Sequence, residues 1–283
     1  MTPAATPQRL YALGPAGTYS DAAARTLLAH LKLGSVPVVY TRTLPEVFGR
    51  AAADAWAWGV APIENSDAGT IVQAQDSLVR HALTVVWEVS LRIRFSALSR
   101  VPAEQARTLY VHPVAFEQCS QFVAARLPQA EVAYVDSNAA AGVRYLEAAP
   151  GDPVSAIVPA EFAQAHPREL LQADVQNFAN NTTRFVAVRR RAEPERFDFT
   201  RRKTALFIEP SVDRPGLLYG LLSVFNRHAL NLCRLESRPD RVAPWQYVFF
   251  IDFNNAAGSA QCIEELKATG HRITVLGSFD AVE

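Results

Sequence analysis

The run Asn180-Asn181-Thr182-Thr183-Arg184-Phe185 sets two amides, two hydroxyls, a guanidinium and an aromatic ring side by side, directly before the apolar run Val186-Ala187-Val188. Such a set offers donors to an anionic or carbonyl-rich small molecule and a wall for its ring. Taken alone, the sextet equally fits a polar turn with Arg184 paired at the surface. The upstream pattern favours the first reading, because earlier apolar runs also end in small polar residues. Residues 10–13 lead into Gly14-Pro15-Ala16-Gly17-Thr18-Tyr19-Ser20, and residues 58–62 into Ile63-Glu64-Asn65-Ser66-Asp67-Ala68-Gly69-Thr70. A glycine turn between strand and helix presents backbone N–H groups, backed by the helix dipole, to a carboxylate or phosphate. No Gly-Lys-Ser/Thr follows and Pro15 removes one donor, which argues against a nucleotide-binding loop. Helix capping by Ser66, Asp67 or Thr70 accounts for part of the second loop.

These loops need strands and helices to hold them. Ala23, Ala24, Leu27, Leu28 and Leu31 recur at helical spacing. A strand over 36–40 precedes Thr43-Leu44-Pro45-Glu46, a capping box opening a helix that buries Leu44, Val47, Phe48 and Ala51. A helix follows over 71–80. From 87 to 97 the chain alternates strictly, with Trp87, Val89, Leu91, Ile93, Phe95 and Ala97 on one face. That predicts one long strand crossing between two lobes. Residues 109–111 and His112-Pro113 lead into a helix carrying Phe116, Cys119 and Val123 inward, with Gln118 near its first turn. Asp136-Ser137-Asn138 cap the alanine-rich helix 139–148. A strand over 154–158 follows, and Val175-Gln176-Asn177 returns the chain towards the sextet. Alternating βα units imply mostly parallel sheets, with ligands beyond the carboxyl ends of the strands. The expectation is an α/β unit over 8–190, with lobe one about 8–86 plus 176–190 and lobe two about 87–175.

Residues 191–202 form an arginine-rich linker, and 203–283 read βαββαβ, the ferredoxin-like order. Asp213-Arg214-Pro215-Gly216 opens its first helix. Tyr247, Phe249, Ile251 and Phe253 share one face of a later strand. So small a sheet has exposed edges, which homodimers commonly cover.

Composition narrows the classes. At 283 residues, 49% hydrophobic and with zero formal net charge, the chain reads as a soluble globular protein of about two domains. Neither nucleic acid nor an anionic membrane is the expected main partner. Cys119, Cys233 and Cys262 show no CxxC spacing, which argues against a disulfide framework or structural zinc and fits a reducing cytoplasm. The six histidines form no HExxH-like pattern, so neither metal nor cofactor is expected. The first residues lack the apolar core of a signal peptide, and no later run suits a membrane span.

Four segments, taken in order, carry a resemblance: residues 14–20, Val60-Ala61-Pro62-Ile63-Glu64-Asn65-Ser66, His112 through Cys119, and Thr183-Arg184-Phe185. With them the chain resembles the monofunctional prephenate dehydratase family, whose first motif here begins near residue 11. Arg214-Pro215-Gly216-Leu217-Leu218 and Glu236-Ser237-Arg238-Pro239 resemble the ACT regulatory domain attached to these enzymes. The resemblance implies a two-lobed, periplasmic-binding-protein-like catalytic domain and a ferredoxin-like ACT domain. It implies decarboxylating dehydration of prephenate to phenylpyruvate in phenylalanine biosynthesis, without a cofactor. Thr183 takes the catalytic position. Thr18, Ser20, Asn65, Ser66, Gln118, Asn138, Arg184 and Phe185 become substrate contacts, and Glu64 orients its loop. Gly216, Leu217, Leu218, Asn231, Glu236, Ser237 and Arg238 become contacts for L-phenylalanine as feedback inhibitor, in a homodimer or homotetramer joined through ACT domains.

Several positions depart from the family pattern. Asn177 stands where aspartate is usual, Asn138 where Ser or Thr is, Val114 for glutamine, Phe95 for histidine, and Leu217 for a small alanine beside the effector pocket. Two alternatives remain open: arogenate dehydratase, separable by assaying both substrates, and a non-catalytic amino-acid sensor, which would be expected to lack the Thr183 constellation.

Overall fold

In the computed structural model, which describes residues 6–240 and 246–282, apolar runs alternate with amphipathic helices to build lobe one. In chain order these are β1 (Arg9–Leu13), α1 (Tyr19–His30), β2 (Val38–Thr41), α2 (Leu44–Ala53), β3 (Ala57–Asn65), the short β4 (Gly69–Thr70), α3 (Val72–Arg80) and β5 (Leu83–Arg92). β1 lies parallel between β2 and β3. The strand pleat divides its side chains: Leu10 and Ala12 join the core under α1, and Tyr11 the core under α2. The threonines before α1 and α2 cap them, Thr18 Oγ1 accepting from Asp21 N (3.3 Å) and Thr43 Oγ1 from Glu46 N (3.3 Å).

Lobe two comprises β6 (Phe95–Ser99), β7 (Thr108–Val111), α4 (Pro113–Gln118), α5 (Ser120–Arg126), β8 (Glu131–Tyr134), α6 (Asn138–Glu147), β9 (Val154–Pro159), α7 (Ala160–Gln164) and β10 (Leu170–Gln172). Its sheet has the order β10-β6-β9-β7-β8. The chain then returns to lobe one as β11 (Thr182–Arg190), which pairs antiparallel with both β3 and β5. β5 runs out towards lobe two and β11 runs back from it, so as neighbours they must oppose each other. This makes the main sheet more mixed than the βα alternation implies.

The predicted single strand 87–97 is two strands in two sheets. Between them Ile93 N donates to Asn181 O (2.7 Å), and Arg94 forms a bidentate pair with Asp174 (2.7 and 2.6 Å). The outgoing and returning connections are thus stitched side by side. The apolar face with Val89, Ile93, Phe95 and Ala97 stays buried through both halves, so period alone does not reveal the break. The helix expected through Cys119 likewise divides there into α4 and α5, with Cys119 itself outside helical geometry (φ −118°, ψ 14°).

The last segment folds as β12 (Lys203–Glu209), α8 (Leu217–Arg227), β13 (Leu232–Pro239), β14 (Tyr247–Asn254), α9 (Ser259–Ala268) and β15 (Arg272–Val282). The sheet order β13-β14-β12-β15 is ferredoxin-like. Its β15 edge is not left open, because the end of that strand pairs in parallel with β5 (Asp280 with Trp87, Val282 with Val89). One ten-stranded sheet therefore runs through lobe one and the C-terminal unit. Gly277 permits the join: a Cβ there would lie 2.2 Å from the Val85 carbonyl oxygen. Among the described residues, β13 and β2 are its outermost strands.

Candidate functional site

β11 and β3 bring the two strongest sequence motifs together as a cross-strand pair, Thr183 opposite Asn65. Asn65 belongs to the strand rather than to the loop after it, so the ladder fixes its position. Its Oδ1 accepts from Asp67 N (3.0 Å) and Ala68 N (2.8 Å), which leaves Nδ2 to donate to Thr183 Oγ1 (2.8 Å) and Asn181 Oδ1 (2.7 Å). Two backbone donors on one side of the amide decide which end is oxygen. Gln118, at the end of α4 in lobe two, extends Nε2 to 3.5 Å from the same Oδ1. Thr183, Asn65, Gln118 and Asn181 are all at least nine-tenths buried. The cluster is neutral throughout, spans both lobes, and can offer hydrogen bonds without a change in protonation.

Ser66 ties the loop after β3 to the start of β11, accepting from Thr182 N (2.9 Å) and donating to Asn180 O (3.3 Å). Thr18 is occupied as a cap and by a bond to Leu13 O (3.2 Å). Ser20 is buried in the first turn of α1. Asn138 opens α6, where Ser137 supplies the cap to Ala140 N (3.0 Å) and the Asn138 Oδ1 is buried without a partner among the described residues. The two helix starts meet across the lobes, since a Cβ on Gly17 would lie 4.0 Å from that of Ala139. Tyr19 anchors this mouth to the crossing by donating to Arg94 O (2.5 Å) and stacking edge-on against Phe95.

Phe185 shares the face of Thr183 but lies in the lobe-one core with Leu10, Ala12 and Val89, 2% exposed. Arg184 points the opposite way, as the pleat requires. Its guanidinium meets Glu64 (2.7 Å), Glu88 (2.6 Å) and Asp252 of the C-terminal unit (2.9 Å). Lys203 also reaches Glu88 (2.7 Å), and Arg234 reaches Glu64 (3.5 Å). Burial opposes the Arg184 charge, yet Asp252 and Glu88 outweigh it and hold the group more basic than a free arginine. Burial likewise pushes the Glu88 carboxyl up, but Arg184 and Lys203 win and hold it below the ordinary range.

The Glu88 shift has a testable sign. A carboxyl with a depressed folded pKa binds its proton more weakly than the unfolded chain does. Its stabilising contribution is present above about pH 4.5 and is lost as pH falls through the folded value. Denaturant unfolding should therefore show stability falling below about pH 4.5, with a smaller fall in Glu88→Gln. Equal acid sensitivity of the two proteins would remove Glu88 from this role.

In the C-terminal unit, a cavity of about 400 Å³ is lined by Gly216, Leu217, Leu218 and Ser237, together with Arg214, Asp213, Tyr247 and Phe249. Gly216 enters α8 at φ +82°, a left-handed conformation that favours glycine, and nothing lies within 4 Å of where its Cβ would stand. Glu236 and Arg238 face away from this cavity, by the alternation that brings Ser237 to it. Glu236 accepts from Thr70 (2.7 Å) and Gln75 (2.8 Å), and Arg238 lies 3.4 Å from Gln75 Oε1. Asn231 is exposed before β13 and does not line the cavity.

The departures have structural settings of their own. Asn177 donates to Glu117 O (3.0 Å) and Ser120 Oγ (3.1 Å) and accepts from Gln121 N (3.1 Å). Its oxygen caps the first turn of α5, as an aspartate's could, and its Nδ2 adds the two donated bonds, which an ionised aspartate could not make. Phe95 is buried in the lobe-two core, and Val114 is exposed. Asn181, joined to Asn65 in the buried cluster, belongs to the sextet noted in the sequence but was not among the expected substrate contacts. Its signal was its place just before the strand, two residues from Thr183, where both accept from Asn65 Nδ2.

Two α/β lobes crossed twice by the chain, with a neutral amide–hydroxyl cluster at the crossing, define the periplasmic-binding-protein-like class of two-lobed folds. The profile of the prephenate dehydratase family matches residues 10–193. A prephenate dehydratase of Mycolicibacterium vanbaalenii is 33% identical over 290 aligned positions, covering 94% of this chain and 89% of the relative. The bifunctional chorismate mutase/prephenate dehydratase of Stutzerimonas stutzeri is 31% identical, covering 96% and 73%. The Staphylococcus aureus prephenate dehydratase structure superposes with a TM-score of 0.79 at 26% identity, over 96% of this chain and 99% of that one. The Arthrobacter aurescens enzyme, solved in complex with L-Phe, gives 0.78 at 26% identity, over 96% and 90%. The chain belongs to the prephenate dehydratase family and is a lyase.

Proposed function

We propose that the chain carries out its prephenate dehydratase reaction at the Thr183–Asn65 pair, and that L-phenylalanine bound in the C-terminal cavity inhibits it. The observation that carries the first part is the fixed Asn65 amide. It donates to Thr183 Oγ1, which occupies an acceptor position of the hydroxyl and leaves its proton to be given elsewhere. In the reaction the bond from the ring to its carboxylate breaks, and its electron pair enters the ring. The ring becomes aromatic as the hydroxyl at the far carbon departs, and one proton completes the released water. Aromatisation supplies the driving force. The protein orients the substrate and stabilises the departing oxygen, for which Thr183 is a positioned hydrogen-bond donor. Gln118 from lobe two and Asn65 from lobe one fit this site to a substrate held between lobes. The starts of α1 and α6 suit its carboxylates.

The cavity supports the regulatory part. It has the size of a small-molecule site, an Arg214 guanidinium suited to a carboxylate, an Asp213 carboxylate suited to an ammonium, and Tyr247 and Phe249 beside the ring position. Leu217 narrows the cavity without filling it, and the complex of the Arthrobacter relative with L-Phe favours the same ligand. Residues 203–283 then act as an ACT-type regulatory unit on a catalytic unit of 8–190, in a homodimer or tetramer. The test is phenylpyruvate formation from prephenate, with and without phenylalanine. Turnover suppressed by phenylalanine, with binding lost in Gly216→Val, is the expected result. Turnover indifferent to phenylalanine, with no heat of binding, rejects the regulatory part.

A further inference from the structure

We infer that Asn181 is a second substrate-contacting donor, its Nδ2 hydrogen-bonding the same departing oxygen as Thr183; this rests on the reading of Thr183 given above. Asn181 is 1% exposed. Its Oδ1 is committed to Asn65 Nδ2 at 2.7 Å, while its own Nδ2 is buried with no hydrogen-bond partner among the described residues. The amide cannot be reversed to relieve this. Reversal would set its NH₂ against that of Asn65, and Asn65 is held by Asp67 N and Ala68 N on its oxygen side.

A buried donor left unpaired in the folded chain is costly, and such groups mark a bound water or ligand. The neighbourhood indicates which. Asn65 Nδ2 serves Thr183 Oγ1 and Asn181 Oδ1 with its two hydrogens. Both accept from this one nitrogen, which places the Asn181 amide beside the Thr183 hydroxyl. The backbone of Asn181 is held as well, its carbonyl accepting from Ile93 N (2.7 Å) in the stitched crossing. The donor is therefore positioned before substrate arrives, as stabilisation of a developing negative oxygen requires. Both donors are neutral, so they can stabilise charge on that oxygen without changing their own protonation.

Asn181→Asp retains the acceptor for Asn65 and removes the N–H donor. Asn181→Ala removes both. Each variant should lose about 10²-fold in kcat. The inhibition constant of phenylpyruvate, which has no ring hydroxyl, should stay within about twofold, because the lost bond is absent from that complex. An Asn181→Asp enzyme with wild-type kcat overturns the inference, since Asn181 then serves only as acceptor for Asn65. So does phenylpyruvate binding that weakens in step with kcat, which marks a structural role. If Asn181→Ala does not fold, Asn181→Asp decides. Thr183→Ala, assayed in parallel with Asn181 intact, reports separately on the reading beneath.

Discussion

Thr183→Val should cut kcat for prephenate by about 10²–10³-fold, the range for removing one donor to developing charge. Valine keeps the branched shape and thus the packing of a residue that is 7% exposed. It deletes only the hydroxyl. On the proposal that the hydroxyl stabilises charge on the departing oxygen, KM should change much less than kcat. Thr183→Ser restores the donor but loses the methyl that restricts χ1, and should recover most of the activity with a residual loss of about tenfold. The paired measurement separates chemistry from packing. Steady-state kinetics in which valine keeps turnover within about threefold of wild type would take Thr183 out of the reaction. No group in the cluster is ionisable near neutrality, so removal of the hydroxyl should lower the pH–rate curve without moving it sideways.

Thr183 and Asn65 stand out in the sequence as candidates because they lie in short polar runs that follow apolar strands, and the structure brings them together with Gln118. The sequence did not reveal that Asn65 and Thr183 oppose each other in one ladder, which depends on register between segments 118 residues apart. Grouping Arg184 with Thr183 followed their adjacency, yet in a strand adjacency puts side chains on opposite faces. The same period separates Ser237, at the cavity, from Glu236 and Arg238, which turn towards lobe one. In both places the strand and its residues were legible, and the pleat carried the missing information. The break at Ile93 and Arg94 was less accessible. Its cause is pairing with Asp174 and Asn181, and non-local partners leave no trace in local alternation. The covered β15 edge is of the same kind, since it depends on the fit of Gly277 against Val85.

Arg184→Ala should destabilise the protein by about 3–5 kcal/mol, the cost of removing one partner from a buried ion pair. Glu88 and Asp252 are nearly inaccessible, with side chains 3% and 7% exposed. Lys203 remains on Glu88 and Arg234 on Glu64, but Asp252 loses its 2.9 Å partner. The variant should therefore be partly rescued by Asp252→Asn, which removes the stranded charge. A double-mutant cycle on unfolding free energy measures that coupling. The proposed regulation has a route here, because Arg184 and Glu64, which neighbour Thr183 and Asn65 in sequence, contact the C-terminal unit through Asp252 and Arg234. A ligand that shifts that unit must change these contacts if it is to bias the site. Phenylalanine inhibition should accordingly weaken in Arg184→Ala and recover in part with the second substitution. Unchanged melting together with unchanged inhibition would show that the cluster neither holds the two units nor couples them.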